Sequence, residues 1–164
     1  MLTQERLKEL LDYCPETGNF IRIKPLKGAK LYAVVGPTNN DGYISISIDN
    51  KRYQAHNLVW LFVHGNLPKQ QIDHINGLRN DNRLSNLREV SHAENQKNKK
   101  LDKRNQFGYP GIRKGKKEGS FRVYIGINKN KLDLGTYPTL EEAIKVRQQA
   151  EIKYGFHENH GRII

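Results

Sequence analysis

Asp73 and His74 stand side by side in the run Gln71-Ile72-Asp73-His74-Ile75-Asn76-Gly77, with Asn86 twelve positions after the histidine and Asn95 nine further on. Hydrolysis of a phosphodiester needs an activated water, a cation to offset charge building on the phosphate, and help for the departing 3′ oxygen. An imidazole with an ordinary pKa of about 6.5 is largely neutral at cytoplasmic pH and can take the water's proton, so His74 is a candidate general base. Its other ring nitrogen must then be held, and the side-chain carbonyl of Asn86 is the candidate acceptor. The Asp73 carboxylate and the Asn95 amide oxygen are hard donors. Together they suit Mg²⁺, or Mn²⁺ as a substitute, with waters and phosphate oxygens completing an octahedron. An Asp-His dipeptide alone is usually a turn or a surface pair, and scattered asparagines usually mark loops. The joint spacing carries the chemical reading.

That spacing matters only if local structure brings the groups together. Gln71 to Asp73 reads as a short strand, Asn76 to Asn86 as a loop dense in Asn, Asp, Gly and Arg, and Leu87 to Val90 as a second strand. Ser91-His92-Ala93-Glu94 is a capping box that predicts a helix to about Lys100, with Asn95 on its first turn. Adjacent residues of a strand point to opposite sides, so Asp73 and His74 can serve one site only if the strand ends or bends, for which the Asn76-Gly77 turn provides. Upstream, Thr3 to Tyr13 predicts a helix with Leu7, Leu10 and Leu11 on one stripe, closed by Pro15-Glu16-Thr17-Gly18. Tyr43 to Ile48 alternates strictly, Asp49-Asn50 supplies a turn, and Lys51 to Ala55 returns as a hairpin. A short buried helix around Trp60 follows, ended by Gly65 and Pro68. His56 is expected against the hairpin, and His92 near the start of the helix that carries Asn95.

The chain has 164 residues, 28 Lys+Arg against 17 Asp+Glu, and a formal net charge of +11. Such a balance favours polyanionic partners such as DNA or RNA. No apolar run approaches the roughly 20 residues of a membrane span, and the polar start Met1-Leu2-Thr3-Gln4-Glu5-Arg6 lacks a signal-peptide core. A soluble, cytoplasmic protein of a phage or bacterial host is expected. The single Cys14 permits no internal disulfide and no paired-cysteine zinc site.

On these residues the chain resembles the HNH endonucleases of phages and mobile introns. The resemblance runs over Thr3 to Lys100, through Tyr53-Gln54-Ala55-His56, Val59-Trp60, Ile72 to Gly77, Asp81-Asn82-Arg83-Leu84-Ser85-Asn86-Leu87-Arg88 and Ala93-Glu94-Asn95. It implies a ββα-metal fold that cuts DNA, with Asp73 and Asn95 on the metal, His74 as general base and Asn86 orienting it. The chain departs at Asn57, where relatives often carry Arg.

Beyond a charged stretch, Phe121, Val123, Ile125 and Ile127 alternate with Arg122, Tyr124 and Gly126, flanked by Gly108 to Ile112 and Leu132 to Tyr137. Three antiparallel strands are expected, covered by a helix opened by the capping box Thr139-Leu140-Glu141-Glu142. This part resembles the APETALA2-type DNA-binding domain, whose sheet lies in the major groove. The resemblance implies DNA contacts from the outward face, where Arg113, Arg122, Tyr124 and Lys131 stand. Pro110 occupies a position where plant relatives often have a base-contacting Arg. Residues 96–131 hold twelve Lys/Arg and two acidic residues, a stretch that should dominate salt-dependent affinity.

The expected class is therefore α+β: an HNH nuclease domain over 1–100, a basic linker over 101–108, and over 109–164 a small three-stranded antiparallel sheet packed on one helix. The expected function is a Mg²⁺-dependent DNA endonuclease of homing or phage-mobile type. It would nick double-stranded DNA as a monomer, a dimer serving for double-strand cleavage. The alternative is a sequence-specific DNA-binding regulator with a vestigial nuclease motif. That reading keeps the basic sheet and has no use for Asp73, His74, Asn86 or Asn95.

Overall fold

Short elements joined by turns build the chain in a computed structural model that describes residues 1–25, 28, 30–128 and 130–162. They gather into two compact units, Met1–His92 and Ala93–Ile164. Helices mix with small antiparallel sheets, as the α+β class requires.

In the first unit, helix α1 (Gln4–Leu10) starts at Thr3, whose hydroxyl accepts the Arg6 N–H at 3.2 Å. The helix stops three residues before the predicted Tyr13. Leu11 and Tyr13 are buried on one side of strand β1 (Leu11–Cys14) with Asp12 exposed between them, and β1 pairs with β2 (Asn19–Arg22) around the Pro15-to-Gly18 turn. The Leu10-Leu11 step satisfies helical and strand periodicity alike, and burial of Tyr13 settles it for the strand. Strands β3 (Ser45–Ile48) and β4 (Lys51–Gln54) form the predicted hairpin, and Asp49 and Asn50 both carry positive φ, 47° and 61°. Those angles suit a two-residue turn of the twisted kind that hairpins favour.

Helix α2 (Ala55–His64) buries Leu58, Val59 and Leu61 and ends on the left-handed Gly65. Its buried face meets Leu7, Leu11, Tyr13, Phe20, Ile46 and Ile48 in the core of this unit. Strands β5 (Gln71–His74) and β6 (Leu87–Val90) pair antiparallel, joined by a long loop that closes in one 3₁₀ turn at Leu84–Asn86. Ile72 and Leu87 tie that hairpin to the same core.

Helix α3 (His92–Gln96) is one short turn rather than a run to Lys100. The reason lies just beyond it. Lys97 donates Nζ to the Tyr154 carbonyl at 2.7 Å, the Lys97 carbonyl accepts from His157, and the Lys99 carbonyl accepts from Gly161. The Lys97 and Asn98 N–H groups bond three residues back, to the Glu94 and Asn95 carbonyls at 2.9 and 3.1 Å, the tight closing turn in which a helix ends.

In the second unit, β7 (Ile112–Lys114), β8 (Phe121–Ile127) and β9 (Asn130–Tyr137) form an antiparallel sheet in the order β7-β8-β9. Helix α4 (Leu140–Lys153) is capped by Thr139, whose hydroxyl accepts from Glu142 N. Ile112, Val123 and Ala143 form the centre of this core, with Phe107, Tyr109, Leu134, Tyr137, Leu140 and Ile144 packed around it. A bulge between Val123 and Tyr124 lets β9 carry an extra residue.

Candidate active site

His74 ends β5, where the chain turns into the Asn76–Asp81 loop, and its imidazole is 4 % exposed. Its Nε2 lies 3.2 Å from Oδ1 of Asn82, and the Asn82 Nδ2 faces the Asn80 carbonyl at 3.4 Å, which fixes the amide's orientation. An acceptor at Nε2 requires the proton on Nε2. Nδ1 then carries the basic lone pair. Burial pushes the His74 pKa below its ordinary value against the opposing pull of Asn82, Asp73 and Asp81. The ring is therefore neutral at physiological pH, the state that a proton acceptor needs.

Asn82 is fully buried, and what holds it is a separate hairpin. The Tyr13 hydroxyl donates to the Asn82 carbonyl at 2.9 Å and accepts from Leu84 N at 2.9 Å. Gly18, at φ +74°, lets the turn between β1 and β2 lie against this loop. A Cβ at Gly18 would stand 2.4 Å from Arg83 N.

Asn86 does something different from orienting the imidazole. Its Oδ1 accepts from Asn76 N at 2.9 Å and its Nδ2 donates to the Asp81 carbonyl at 2.8 Å, so it clamps the two ends of the loop. Asn76 Nδ2 reaches Asp81 Oδ2 at 2.7 Å. With Arg83 on the same carboxylate, the Asp81 pKa is held down at about 2. The residue missed by sequence reasoning is Asn82. It lies in the Asp81-Asn82-Arg83 run, but nothing in a loop rich in asparagine distinguishes the amide that turns inward from those that brace the turn.

Two further rings close on His74. His56, from α2, packs edge-on against it with centroids 5.3 Å apart and planes at 87°, and Tyr43 stands 5.4 Å from His56 and 6.0 Å from His74. Arg79 covers Tyr43 at 4.8 Å. Burial, then the neighbouring His74, pushes His56 down to about 4, so both imidazoles are neutral.

Asp73 precedes His74 on β5, near enough that its carboxylate pulls against the lowering of the His74 pKa. It is 7 % exposed, and its Oδ2 accepts from Nε and Nη2 of Arg88, its cross-strand partner, at 3.0 and 2.8 Å. Among the described residues, no group of three or more His, Cys, Asp or Glu is placed to hold a metal ion. A cation bound through carboxylate and amide oxygens is of the hydrated, oxygen-bound kind and not in a nitrogen-sulfur cage. The donor chemistry of Asp73 and Asn95 fits that group. Asn95 lies on α3.

In the second unit, Arg122 and Tyr124 stand on the face of β8 opposite buried Val123 and Ile125. Lys131 lies over the Tyr124 ring at 3.6 Å and Arg122 at 5.2 Å. Arg122 is also bonded to Asp133 through Nε and Nη2. Arg113 is the cross-strand partner of Arg122. Four of the sequence-derived residues thus share one small sheet.

A family model described as HNH endonuclease matches residues 53–97, from the end of β4 through α2, the β5–β6 hairpin and α3. The match covers Asp73, His74, Asn86 and Asn95 as well as His56 and Asn82. It supports an HNH nuclease, with DNA as substrate and a divalent metal ion of the kind that such enzymes generally use. No curated protein and no solved structure matches the chain. No helix among the described residues is long and apolar enough to cross a membrane.

Proposed function

We propose that the chain is a metal-dependent DNA endonuclease that nicks double-stranded DNA, with His74 as general base and a Mg²⁺ ion held by Asp73 and Asn95. The single observation that carries the reading is the state of His74. It is buried at the end of the strand that also holds Asp73, with its Nε2 3.2 Å from Asn82 Oδ1 and its pKa pushed down by burial.

His74 Nδ1 takes a proton from a water, whose oxygen forms a bond to phosphorus as the bond to the 3′ oxygen breaks. Asn82 keeps the ring from turning, so that the lone pair is aimed before substrate arrives. Tyr43 and His56 exclude water from the ring's flanks and keep it uncharged. Asn86 acts one step back, holding the loop that delivers Asn82. When bound, the cation supplies charge stabilisation at the phosphate and the departing oxygen. One such site per chain gives a nick, and a second protomer is needed for a double-strand break.

The second unit supplies the grip. An antiparallel sheet that presents Arg113, Arg122, Tyr124 and Lys131 has the size and chemistry to enter a major groove, in the manner of an APETALA2-type domain. In this reading residues 1–100 cut, 101–108 link and 109–164 bind, in a cytoplasmic enzyme of homing or phage-mobile type.

The test is incubation of supercoiled plasmid with wild type and His74→Ala in Mg²⁺ and in EDTA. Nicked circles are expected from wild type in Mg²⁺ alone. Equal nicking by both proteins would overturn the assignment, and salt-dependent binding without any cleavage would favour a DNA-binding regulator.

A further inference from the structure

Arg88 and Asp73 face each other across the β5–β6 hairpin, and both donors of the guanidinium fall on the same oxygen, Oδ2, at 3.0 and 2.8 Å. The side chain of Asp73 is 8 % exposed and that of Arg88 is 34 % exposed. A buried carboxylate without a countercharge is strongly unfavourable, so some cation must accompany Asp73 in the folded chain. Arg88 is the cation that the sequence itself supplies. A divalent ion drawn to the same carboxylate therefore meets a positive charge already in place.

We infer that Arg88 sets the affinity of Asp73 for the metal ion: it holds the carboxylate in position when no ion is bound, and it opposes the ion when one arrives. The two roles have opposite signs. Removing Arg88 leaves the empty protein less stable and the ion more tightly bound. They also couple the ion to DNA. Arg88 and a divalent ion together leave the site with an excess of positive charge, and a phosphate supplies the missing negative charge. Metal and DNA then bind cooperatively, and the ion is held firmly only where there is a phosphate to act on.

The inference rests on the reading of Asp73 as a metal ligand, so the experiment separates the two. Binding of Mn²⁺ without DNA is followed by the loss of free-ion signal in electron paramagnetic resonance at pH 8, for wild type, Arg88→Gln, Arg88→Lys and Asp73→Asn. Arg88→Gln should bind Mn²⁺ about tenfold more tightly than wild type, the scale set by one unit charge a few ångströms from the ion. Arg88→Lys keeps the charge and should stay close to wild type. Thermal melts should show Arg88→Gln less stable than wild type without Mn²⁺ and gaining more from its addition. Unchanged or weaker Mn²⁺ binding by Arg88→Gln, with Asp73→Asn binding none, overturns the role of Arg88 alone. Wild-type binding by Asp73→Asn overturns the metal-ligand reading itself. Should Arg88→Gln fail to fold, Arg88→Met keeps the aliphatic stem and carries the same expectation. Unfolding of both that Mn²⁺ does not reverse also overturns the inference.

Discussion

Each unit buries a polar network, and the two networks are built to different standards. In the first, Asn76, Asp81, Asn82, Asn86 and His74 are joined by bonds of 2.7 to 3.2 Å, and the Tyr13 hydroxyl both donates to and accepts from the loop they share. In the second, Arg147 lies 3 % exposed beneath the sheet, 3.1 Å from Glu151, and Tyr109 donates to the other Glu151 oxygen at 2.8 Å. There the Nε of Arg147, Oε1 of Glu151 and Nδ1 of His160 have no hydrogen-bond partner among the described residues. Burial pushes the Glu151 carboxyl up and the Arg147 guanidinium down, the direction expected of charges held together by proximity more than by bonding. The difference teaches where precision is needed. For the roles proposed, a proton acceptor must be aimed within about 0.5 Å, whereas the scaffold beneath a sheet proposed to meet DNA must only hold it together. In the second unit the groups proposed to meet DNA are at the surface and have exposed partners, Arg122 with Asp133.

The largest effect expected from this contrast is on rate. Asn82→Ala frees the His74 ring and should lower single-turnover cleavage about a hundredfold while leaving DNA binding near wild type. Tyr109→Phe, which loosens the second network, should leave that rate unchanged. Equal rates for Asn82→Ala and wild type would break the comparison at its first point.

A pair of glycines sharpens it further. Gly18→Ala and Gly111→Ala both place a Cβ at positive φ, +74° and +76°, and against backbone, 2.4 Å from Arg83 N and 2.2 Å from the Tyr124 carbonyl. Each should cost about 2–4 kcal/mol in denaturant unfolding. Only Gly18→Ala should also slow cutting by the folded fraction, because it displaces the loop that carries Asn82. A loss of rate from Gly111→Ala at saturating DNA would contradict the division.

Acid should act on both units alike. Burial depresses His56 and His160 to about 4 in the folded chain, against an ordinary value of 6.5. Between those limits the unfolded chain takes up protons that the folded chain refuses, so stability is complete above pH 6.5 and declines as pH falls toward 4. For His56 the loss approaches about 3 kcal/mol. Melts at pH 7.5, 6 and 5 check it. Stability that is flat across that range in wild type, or a decline undiminished in His160→Asn, would contradict the burial argument.

Much of this was legible in residue patterns. The Asp49-Asn50 turn and the Thr3 and Thr139 caps all rest on interactions within a few residues. The β1–β2 hairpin was not, because Leu10 and Leu11 fit a helix as well as a strand and only the distant burial of Tyr13 separates the two. The different placements of Asn82 and Asn86 were hidden for the same reason. Both are buried amides in one loop, and which of them faces His74 is decided by Tyr13 and Gly18, some seventy residues earlier in the chain. Arg88 was invisible as a partner of Asp73 until the register of β5 and β6 was known.

The most direct test of the whole account sets the two units against each other in one assay. Single-turnover cleavage of a duplex at saturating protein, with binding measured in parallel, is compared for wild type, His74→Ala and a variant with Arg113, Arg122, Tyr124 and Lys131 all changed to Ala. His74→Ala should bind like wild type and cut at least about a hundredfold more slowly. The sheet variant should bind more weakly, with a shallower salt dependence, and cut at the wild-type rate once saturated. Cleavage by His74→Ala at the wild-type rate would contradict the general-base reading of His74.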